Sequence, residues 1–205
     1  MLSHFDAQEP LTSATPFGDD FVICHGPDLV ISAEPENVMS IILITGGARS
    51  GKSVRAEARA RAFAGQPVYI ATAQAHDDEM RERIARHRAR RGNAWLERET
   101  ALELVAALAE TDGGGARLVD CLTLWLSNLM LAERDWAEET TRLADALAAQ
   151  KTPVVLVTNE VGLGIVPDNA LARAFRDASG LMNQTIARVA SEVEFVVAGL
   201  PMRVK

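Results

Sequence analysis

The chain has 205 residues, of which 48% are hydrophobic, and a formal net charge of -7 at pH 7. This length and apolar content allow one substantial core, most simply one domain with an appendage. The acidic balance argues against nucleic acid as the main partner, because phosphate backbones are bound chiefly through excess lysine and arginine.

Cysteine usage and hydropathy indicate the compartment. Cys24 and Cys121 are far apart and lie outside any CxxC pattern, which argues against a disulfide framework or a structural zinc site. No apolar run approaches the ~18 residues that a membrane span needs, and the first 20 residues lack the pattern of a secretory signal. We therefore expect a cytoplasmic protein without a membrane span.

Residues 1–38 differ in composition from the rest of the chain. They are rich in proline, acidic and small polar residues, which predicts a mobile N-terminal extension in front of a domain at 39–205. Met39 stands directly before the first predicted strand, so translation starts either at Met1 or at Met39. The intact mass of protein from the native host distinguishes the two starts.

From residue 39 onward the pattern alternates between strand and helix. Strands are predicted at 40–45, 68–71, 117–121, 153–158 and 193–198. Helices are predicted at 52–63, 77–91, 100–110, from the third strand to about 149 with a break near 134–135, and at 169–190. Residues 95–99 are predicted to be irregular or a short strand, and 202–205 an edge strand. This order implies a mostly parallel sheet with helices on both faces.

The segment Gly-Gly-Ala-Arg-Ser-Gly-Lys-Ser at 46–53 fits the pattern GxxxxGK[ST] at every fixed position. Between a buried strand and a helix, its glycines let backbone N–H groups point at phosphate oxygens, and the helix N-terminus adds partial positive charge. Lys52 is expected to reach the β- and γ-phosphates, and the Ser53 hydroxyl to ligate Mg²⁺. The predicted phosphate-binding set is Gly46, Gly47, Ala48, Arg49, Ser50, Gly51, Lys52 and Ser53.

Polar residues after the other strands are further candidates, because ligands gather at the carboxyl ends of parallel strands. These residues include 72–74 after the second strand, Asp120 after the third, and Asn159 and Glu160 after the fourth. Asp120 is favoured as the carboxylate that organises Mg²⁺, since it closes an apolar strand. Glu160 remains an alternative, and an acidic residue at a strand end is also an ordinary turn former.

The predicted helix at 77–91 carries an inward-tending histidine among arginines. Met80, Ile84, His87 and Arg91 fall on one helical stripe, and five further arginines surround it. His87 is therefore either a hydrogen-bonded core residue or a catalyst. The arginines either form a solvated helix face or hold transferred phosphates.

Several segments between about 40 and 205 form a specific combination. They are the loop at 46–53, Tyr-Ile-Ala-Thr at 69–72, Asp-Asp-Glu-Met at 77–80, Arg-Ile-Ala-Arg-His at 83–87, Asp-Cys-Leu-Thr at 120–123, Thr-Asn-Glu-Val-Gly-Leu-Gly-Ile-Val-Pro at 158–167, Phe-Arg-Asp at 175–177 and Asn-Gln at 183–184. Together they resemble the bifunctional adenosylcobinamide kinase and adenosylcobinamide-phosphate guanylyltransferase family of cobalamin biosynthesis.

The resemblance implies a P-loop NTPase (RecA-like) three-layer α/β fold with an antiparallel C-terminal edge strand, and two reactions. ATP or GTP phosphorylates the aminopropanol hydroxyl of adenosylcobinamide, and GTP then transfers GMP to adenosylcobinamide phosphate, releasing pyrophosphate. The family carries GMP on a histidine, and His87 matches that position; a neutral imidazole nitrogen can attack phosphorus and divide one displacement into two. Relatives form trimers, which implies a homo-oligomer.

By the same matching, further residues would contact the guanine nucleotide. They are Thr72, Ala73, Gln74, Arg88, Ala89, Arg90, Arg91, Glu99 and Asp120. Glu99 is assigned through the resemblance alone, and its carboxylate would accept from the guanine N1–H and amino group. The chain departs from the family in starting its phosphate loop only at Gly46, and in having Arg86 where some relatives carry a second histidine.

Two other functions stay in competition. One is a monofunctional small-molecule kinase in which His87 is structural, and the other is a guanine-nucleotide-binding switch or scaffold. Acid-labile, alkali-stable label from α-labelled GTP, lost in His87→Ala, would distinguish the bifunctional enzyme from the kinase. Against the switch stands the lack of an obvious base-reading motif of the GTPase sort.

Overall fold

The computed structural model describes residues 39–74, 78, 81, 82, 85, 88, 89 and 92–205. The predicted extension at 1–38 and most of the predicted helix at 77–91 lie outside this set. The six described residues of that segment are all helical, as predicted. Among the residues described, no helix has the length and apolar character needed to cross a membrane.

Seven strands form one sheet in the order β3-β2-β4-β5-β1-β6-β7. The strands are β1 (Ile41–Gly46), β2 (Val68–Ala71), β3 (Leu96–Glu99), β4 (Arg117–Asp120), β5 (Val154–Val157), β6 (Glu192–Val197) and β7 (Leu200–Arg203). Every pairing is parallel except that of β6 with β7, which is antiparallel. The predicted parallel sheet and its antiparallel edge strand are thus confirmed.

A two-residue turn joins β6 to β7. Ala198 and Gly199 both have positive φ, 52° and 81°. A turn with two such residues matches the right-handed twist of a hairpin, and it is the reason the chain reverses here. The strand begins at Leu200, two residues earlier than the pattern of apolar residues predicted.

Helices cover both faces of the sheet. They span Lys52–Arg61, Leu104–Glu110, Leu122–Leu131, Trp136–Ala148 and Ala170–Val189. Alternate residues of β1 serve the two faces: Ile42 and Ile44 pack in the core beneath the helix Lys52–Arg61, and Ile41 and Leu43 pack in the core beneath the other helices. Because both faces are buried, the central strands are continuously apolar. The result is the three-layer P-loop NTPase fold that was predicted.

The structure corrects several predicted boundaries. The helix predicted at 52–63 ends at Arg61, and the one predicted at 100–110 begins only at Leu104. The break predicted near 134–135 is present, because the Asp135 carboxylate accepts from the amides of Ala137 and Glu138 and starts a new helix at Trp136. The stretch predicted as irregular or strand is the parallel edge strand β3.

An ion pair between buried Arg117 and half-buried Asp112 lies near the amino ends of the strands. Arg117 at the start of β4 has no exposed surface and donates to the Asp112 carboxylate at 2.5 Å. Burial raises the pKa of Asp112, but hydrogen bonds from Arg117, the Lys151 amide and the Thr152 hydroxyl lower that pKa more, so it lies well below its usual range. The pair stabilises the sheet at the end opposite the carboxyl ends of the parallel strands.

Candidate active site

The sheet register brings the ends of five strands to one edge. Ala71 at the end of β2 pairs with Glu99 on one side and Asp120 on the other. Asp120 pairs with Val157, and Val157 pairs with Ile44 near the end of β1. At about 4.8 Å per strand, β4 is about 10 Å and β3 about 19 Å from β1. This edge is where ligands bind in open parallel sheets.

The segment 46–53 forms the strand–loop–helix arrangement that its pattern requires, with β1 ending at Gly46 and a helix starting at Lys52. Gly51 has φ 98°, and a Cβ there would lie 3.2 Å from the Gly199 Cα. A Cβ on Gly46 would overlap the Val196 carbonyl oxygen. The loop therefore needs glycine at both positions for steric reasons.

Neighbouring segments brace the phosphate loop from two sides. The Gly199 amide, in the β6–β7 turn, donates to the Ser50 carbonyl at 2.9 Å. The Glu160 amide, after β5, donates to the Gly46 carbonyl at 3.1 Å. The sequence pattern identified the loop but not this bracing, because the donors lie in a turn and a loop more than 100 residues away.

Polar groups inside the loop suit an anionic ligand. Lys52 is 9% exposed, and its ammonium donates to the Gly47 carbonyl at 2.9 Å, so it lies across the loop. The Ser50 hydroxyl is buried and has no hydrogen-bond partner within the described part of the chain. A buried hydroxyl of this kind fits a site that receives a polar ligand. Ala48 and Arg49 are exposed at the tip, and Ser53 is half-buried.

Asp120 is held by a tyrosine on the next strand. The Tyr69 hydroxyl donates to the Asp120 Oδ2 at 2.9 Å, and the Tyr69 ring meets Trp95 edge-on with centroids 5.9 Å apart. The side chain of Tyr69 is buried. Sequence reasoning missed Tyr69, although a lone tyrosine in a buried strand is a signal that its hydroxyl needs a polar partner.

Cys121, directly after Asp120, has a buried thiol. Burial and the Asp120 carboxylate raise the pKa of the Cys121 thiol to about 11, and the Lys52 ammonium acts in the opposite direction. The thiol is therefore protonated at neutral pH and is not a nucleophile.

Thr72 joins the ends of β2 and β4. It is fully buried, its hydroxyl donates to the Cys121 carbonyl at 2.7 Å and accepts from the Cys121 amide at 2.8 Å, and its carbonyl accepts from the Asn128 side chain at 2.8 Å. Ala73 is half-buried and Gln74 exposed. Of the three residues expected to contact nucleotide here, only Ala73 and Gln74 present side chains to solvent.

A hydrogen-bonded chain links the segments that follow β4 and β5. The Thr123 hydroxyl accepts from the Asn159 amide at 2.7 Å and lies 3.3 Å from the Thr158 hydroxyl. Thr158 in turn donates to the Asn183 side chain at 2.7 Å. These contacts fix the start of the loop after β5 relative to the helix that follows Asp120. The quoted motifs contain all four residues, but their mutual contacts follow only from the fold.

At the far end of the same edge, two predicted nucleotide contacts pair with each other. Arg88 donates to Glu99 at 2.7 Å and to Glu97 at 2.7 Å, and these carboxylates raise the pKa of Arg88, Glu97 most strongly. Ala89 is exposed. His87, Arg90 and Arg91 lie outside the described residues, so their predicted roles stay predictions.

The predicted Mg²⁺ residues are oxygen donors, as that ion requires. Ser53 is the second residue of the helix after the loop, and Asp120 stands two strands away. In the part of the chain that the structure describes, no group of three or more His, Cys, Asp or Glu could hold a metal. Mg²⁺ at triphosphate sites is bound by one or two protein oxygens together with phosphates and waters, so these two residues fit it.

Comparisons with known proteins identify relatives that match most of this chain. The bifunctional adenosylcobalamin biosynthesis protein CobP of Pseudomonas aeruginosa is 49% identical over 167 residues, covering 80% of this chain and 96% of the relative. The corresponding CobU proteins of Salmonella typhimurium and Escherichia coli are 44% and 41% identical, each match covering 80% of this chain and 99% of the relative.

Among solved structures, the P4 protein of bacteriophage phi6 in complex with ADP has a TM-score of 0.47 at 14% identity, covering 79% of this chain and 52% of that one. An ATPase of a bacterial type III secretion system has a TM-score of 0.48 at 11% identity, covering 80% and 56%. The sequence model described as cobinamide kinase / cobinamide phosphate guanyltransferase matches residues 42–204. The chain belongs to this family.

Proposed function

We propose that the protein phosphorylates adenosylcobinamide with ATP or GTP and then transfers GMP from GTP to adenosylcobinamide phosphate. The products are adenosylcobinamide-GDP and pyrophosphate. The observation that supports this most is the single sheet edge shared by the phosphate loop, Asp120 and Glu99. A triphosphate and a guanine base have separate candidate positions on that edge, and the family membership supplies the substrates.

In the kinase step the substrate hydroxyl oxygen forms a bond to the γ-phosphorus, and the bond from that phosphorus to the oxygen bridging the β- and γ-phosphates breaks. The nucleoside diphosphate leaves, and the hydroxyl proton passes to solvent. The loop amides and Lys52 would align the triphosphate and stabilise charge on its oxygens. Such a reaction needs positioning and electrostatics more than covalent chemistry. The burial of Lys52 supports this role, because a cation near low-dielectric surroundings acts more strongly on phosphate.

In the guanylyl transfer step a neutral nitrogen of His87 attacks the α-phosphorus of GTP, and pyrophosphate leaves. An oxygen of adenosylcobinamide phosphate then attacks the same phosphorus, and the nitrogen–phosphorus bond breaks, which restores the imidazole. Glu99 would accept from the guanine N1–H and amino group, and Arg88 would approach its phosphates or ribose from beside Glu99. Ala73 and Gln74 are further expected contacts.

Ser53 and Asp120 would hold Mg²⁺, which when bound neutralises charge on the phosphate oxygens. Tyr69 would keep the Asp120 carboxylate oriented through its 2.9 Å hydrogen bond.

We also propose that residues 39–205 are the catalytic domain and that the protein is a homo-oligomer, with the trimers of the family as the expected form. Light scattering on the purified protein measures the mass of the oligomer.

Turnover of adenosylcobinamide with GTP, followed by corrinoid chromatography, tests the proposal. We expect adenosylcobinamide phosphate first and adenosylcobinamide-GDP second. Incubation with α-labelled GTP should give acid-labile, alkali-stable label on the protein that His87→Ala abolishes and the matched control His76→Ala retains. Active enzyme that never takes up label would refute the histidine intermediate, and absence of corrinoid turnover would refute the function.

A further inference from the structure

The loop after β5 exposes four apolar side chains. Val161 is 38% exposed, Leu163 82%, Ile165 97% and Val166 60%. We refer to residues 161–166 as the apolar loop. Single exposed apolar residues are normal on a protein surface, but a contiguous group of this kind marks a place where something binds. The burial of these side chains on binding would supply the affinity.

The apolar loop is held at both ends by polar contacts. On the phosphate-loop side, the Glu160 amide donates to the Gly46 carbonyl at 3.1 Å. On the other side, the Arg173 guanidinium donates to the carbonyls of Pro167 at 2.9 Å and Asp168 at 2.7 Å. The outward apolar side chains therefore belong to a built loop whose backbone is tied down.

The position of the apolar loop indicates which kind of molecule binds it. The loop begins one residue after Glu160, which is bonded to the phosphate loop, so it borders the place where phosphate is transferred. The acceptor hydroxyl must come within about 3–3.5 Å of the phosphorus, and the remainder of a large acceptor must then lie on the adjacent surface. On the opposite side, toward β3, the edge carries the charged pair of Arg88 and Glu99.

We propose that the apolar loop binds the corrinoid macrocycle of the acceptor, through the methyl-bearing rim of the ring. This inference rests on the proposed function, because it takes the corrinoid as the acceptor substrate. Leu163, Ile165 and Val166 are the contact residues. The aminopropanol arm would reach from the ring toward the phosphate loop.

The double variant Leu163→Ser/Ile165→Ser tests the inference. The fold should be retained, since both side chains are largely exposed. We expect the KM for adenosylcobinamide, and its dissociation constant from equilibrium dialysis of the coloured corrinoid, to rise about tenfold or more. The KM for GTP should change less than about twofold. Leu131→Ser is the matched control, because Leu131 is 72% exposed at the end of the helix Leu122–Leu131, about 14 Å along its axis from the end that follows Asp120.

The outcomes separate this inference from the proposed function. Unchanged corrinoid affinity in a double variant whose wild type is active overturns the inference and leaves the function intact. A fall in oligomer mass by light scattering with unchanged corrinoid affinity also overturns it, because the loop would then contact a second copy of the chain. Wild-type protein that binds GTP but neither binds nor converts adenosylcobinamide overturns both.

Discussion

Removing the Tyr69 hydroxyl is expected to weaken the use of Mg²⁺ without disturbing the fold. Tyr69→Phe keeps the buried ring and its edge-on contact with Trp95, and it deletes the hydroxyl that donates to Asp120 Oδ2. A hydrogen bond to a charged group contributes about 1.5–3 kcal/mol. Because Asp120 is half-buried, water can replace the lost donor, so we expect a stability loss near the lower end.

The effect on function should exceed the effect on stability. Groups that orient a metal-bound carboxylate typically change metal affinity or activity about 10–100-fold when they are removed. We expect the Mg²⁺ concentration for half-maximal kinase activity to rise about tenfold in Tyr69→Phe, and more in Asp120→Asn. Nucleotide affinity without Mg²⁺ should be close to that of the wild type, since the phosphate loop is unchanged.

The assay is a Mg²⁺ titration of kinase activity together with a Mg²⁺ titration of nucleotide binding by calorimetry. Thermal unfolding of each variant checks that the fold is retained. An unchanged Mg²⁺ requirement in Tyr69→Phe would refute the role of the tyrosine. If Asp120→Asn also kept the wild-type requirement, Asp120 would not be the metal carboxylate, and the alternative weighed from the sequence, Glu160, would take that role.

Three other predictions concern single residues. Lys52→Ala should lower both activities about 10²–10³-fold, since both need the triphosphate aligned, whereas His87→Ala should spare the kinase; equal losses of both activities in parallel assays of the two variants would contradict separate roles. Gly51→Ala, at φ 98°, should cost about 1–3 kcal/mol of backbone strain and weaken nucleotide binding in calorimetry, and wild-type affinity would contradict the expected loop geometry. Asp112→Asn should destabilise the protein by about 3 kcal/mol at pH 7, because buried Arg117 loses its charged partner. The pKa of Asp112 is lowered in the folded state, so its contribution to stability is present above about pH 4 and is lost as pH falls further. Denaturant titrations should therefore show a shallower loss of stability below pH 4 in the variant than in the wild type. Parallel plots of unfolding free energy against pH for the two proteins would contradict this.

The phosphate loop and the layered fold were predictable because they depend on contiguous residues. The segment 46–53 contains its own turn and helix start, and the strand Ile41–Gly46 leads directly into it. The central strands are apolar on both faces, which is typical of a parallel sheet covered by helices and not of an antiparallel sheet with one face in solvent. An edge strand near the C-terminus was also predicted from the residues, although its start was placed two residues late, and its antiparallel direction was implied by the resemblance.

Other features depend on contacts that no local pattern encodes. All four side chains of β3 are exposed, so the strand shows no alternation, and only its pairing with β2 identifies it. The contact of Tyr69 with Asp120 and the bracing of Ser50 by Gly199 come from sheet order. Glu99 was named by resemblance alone. Its position at the end of β3 supplies a structural reason, because β3 extends the ligand-binding edge by one more strand.

The pairing of Arg88 with Glu99 is compatible with both residues contacting nucleotide. Their side chains are 53% and 67% exposed, and an ion pair in such surroundings contributes only about 0–1 kcal/mol. A guanine base that offers two N–H groups to Glu99 can therefore displace Arg88 at little cost. The guanidinium, which also donates to Glu97 at 2.7 Å, would then lie beside the nucleotide, where it could bind phosphate. The ion pair would in this way keep both side chains near the nucleotide position while it is empty, and it would oppose binding only weakly.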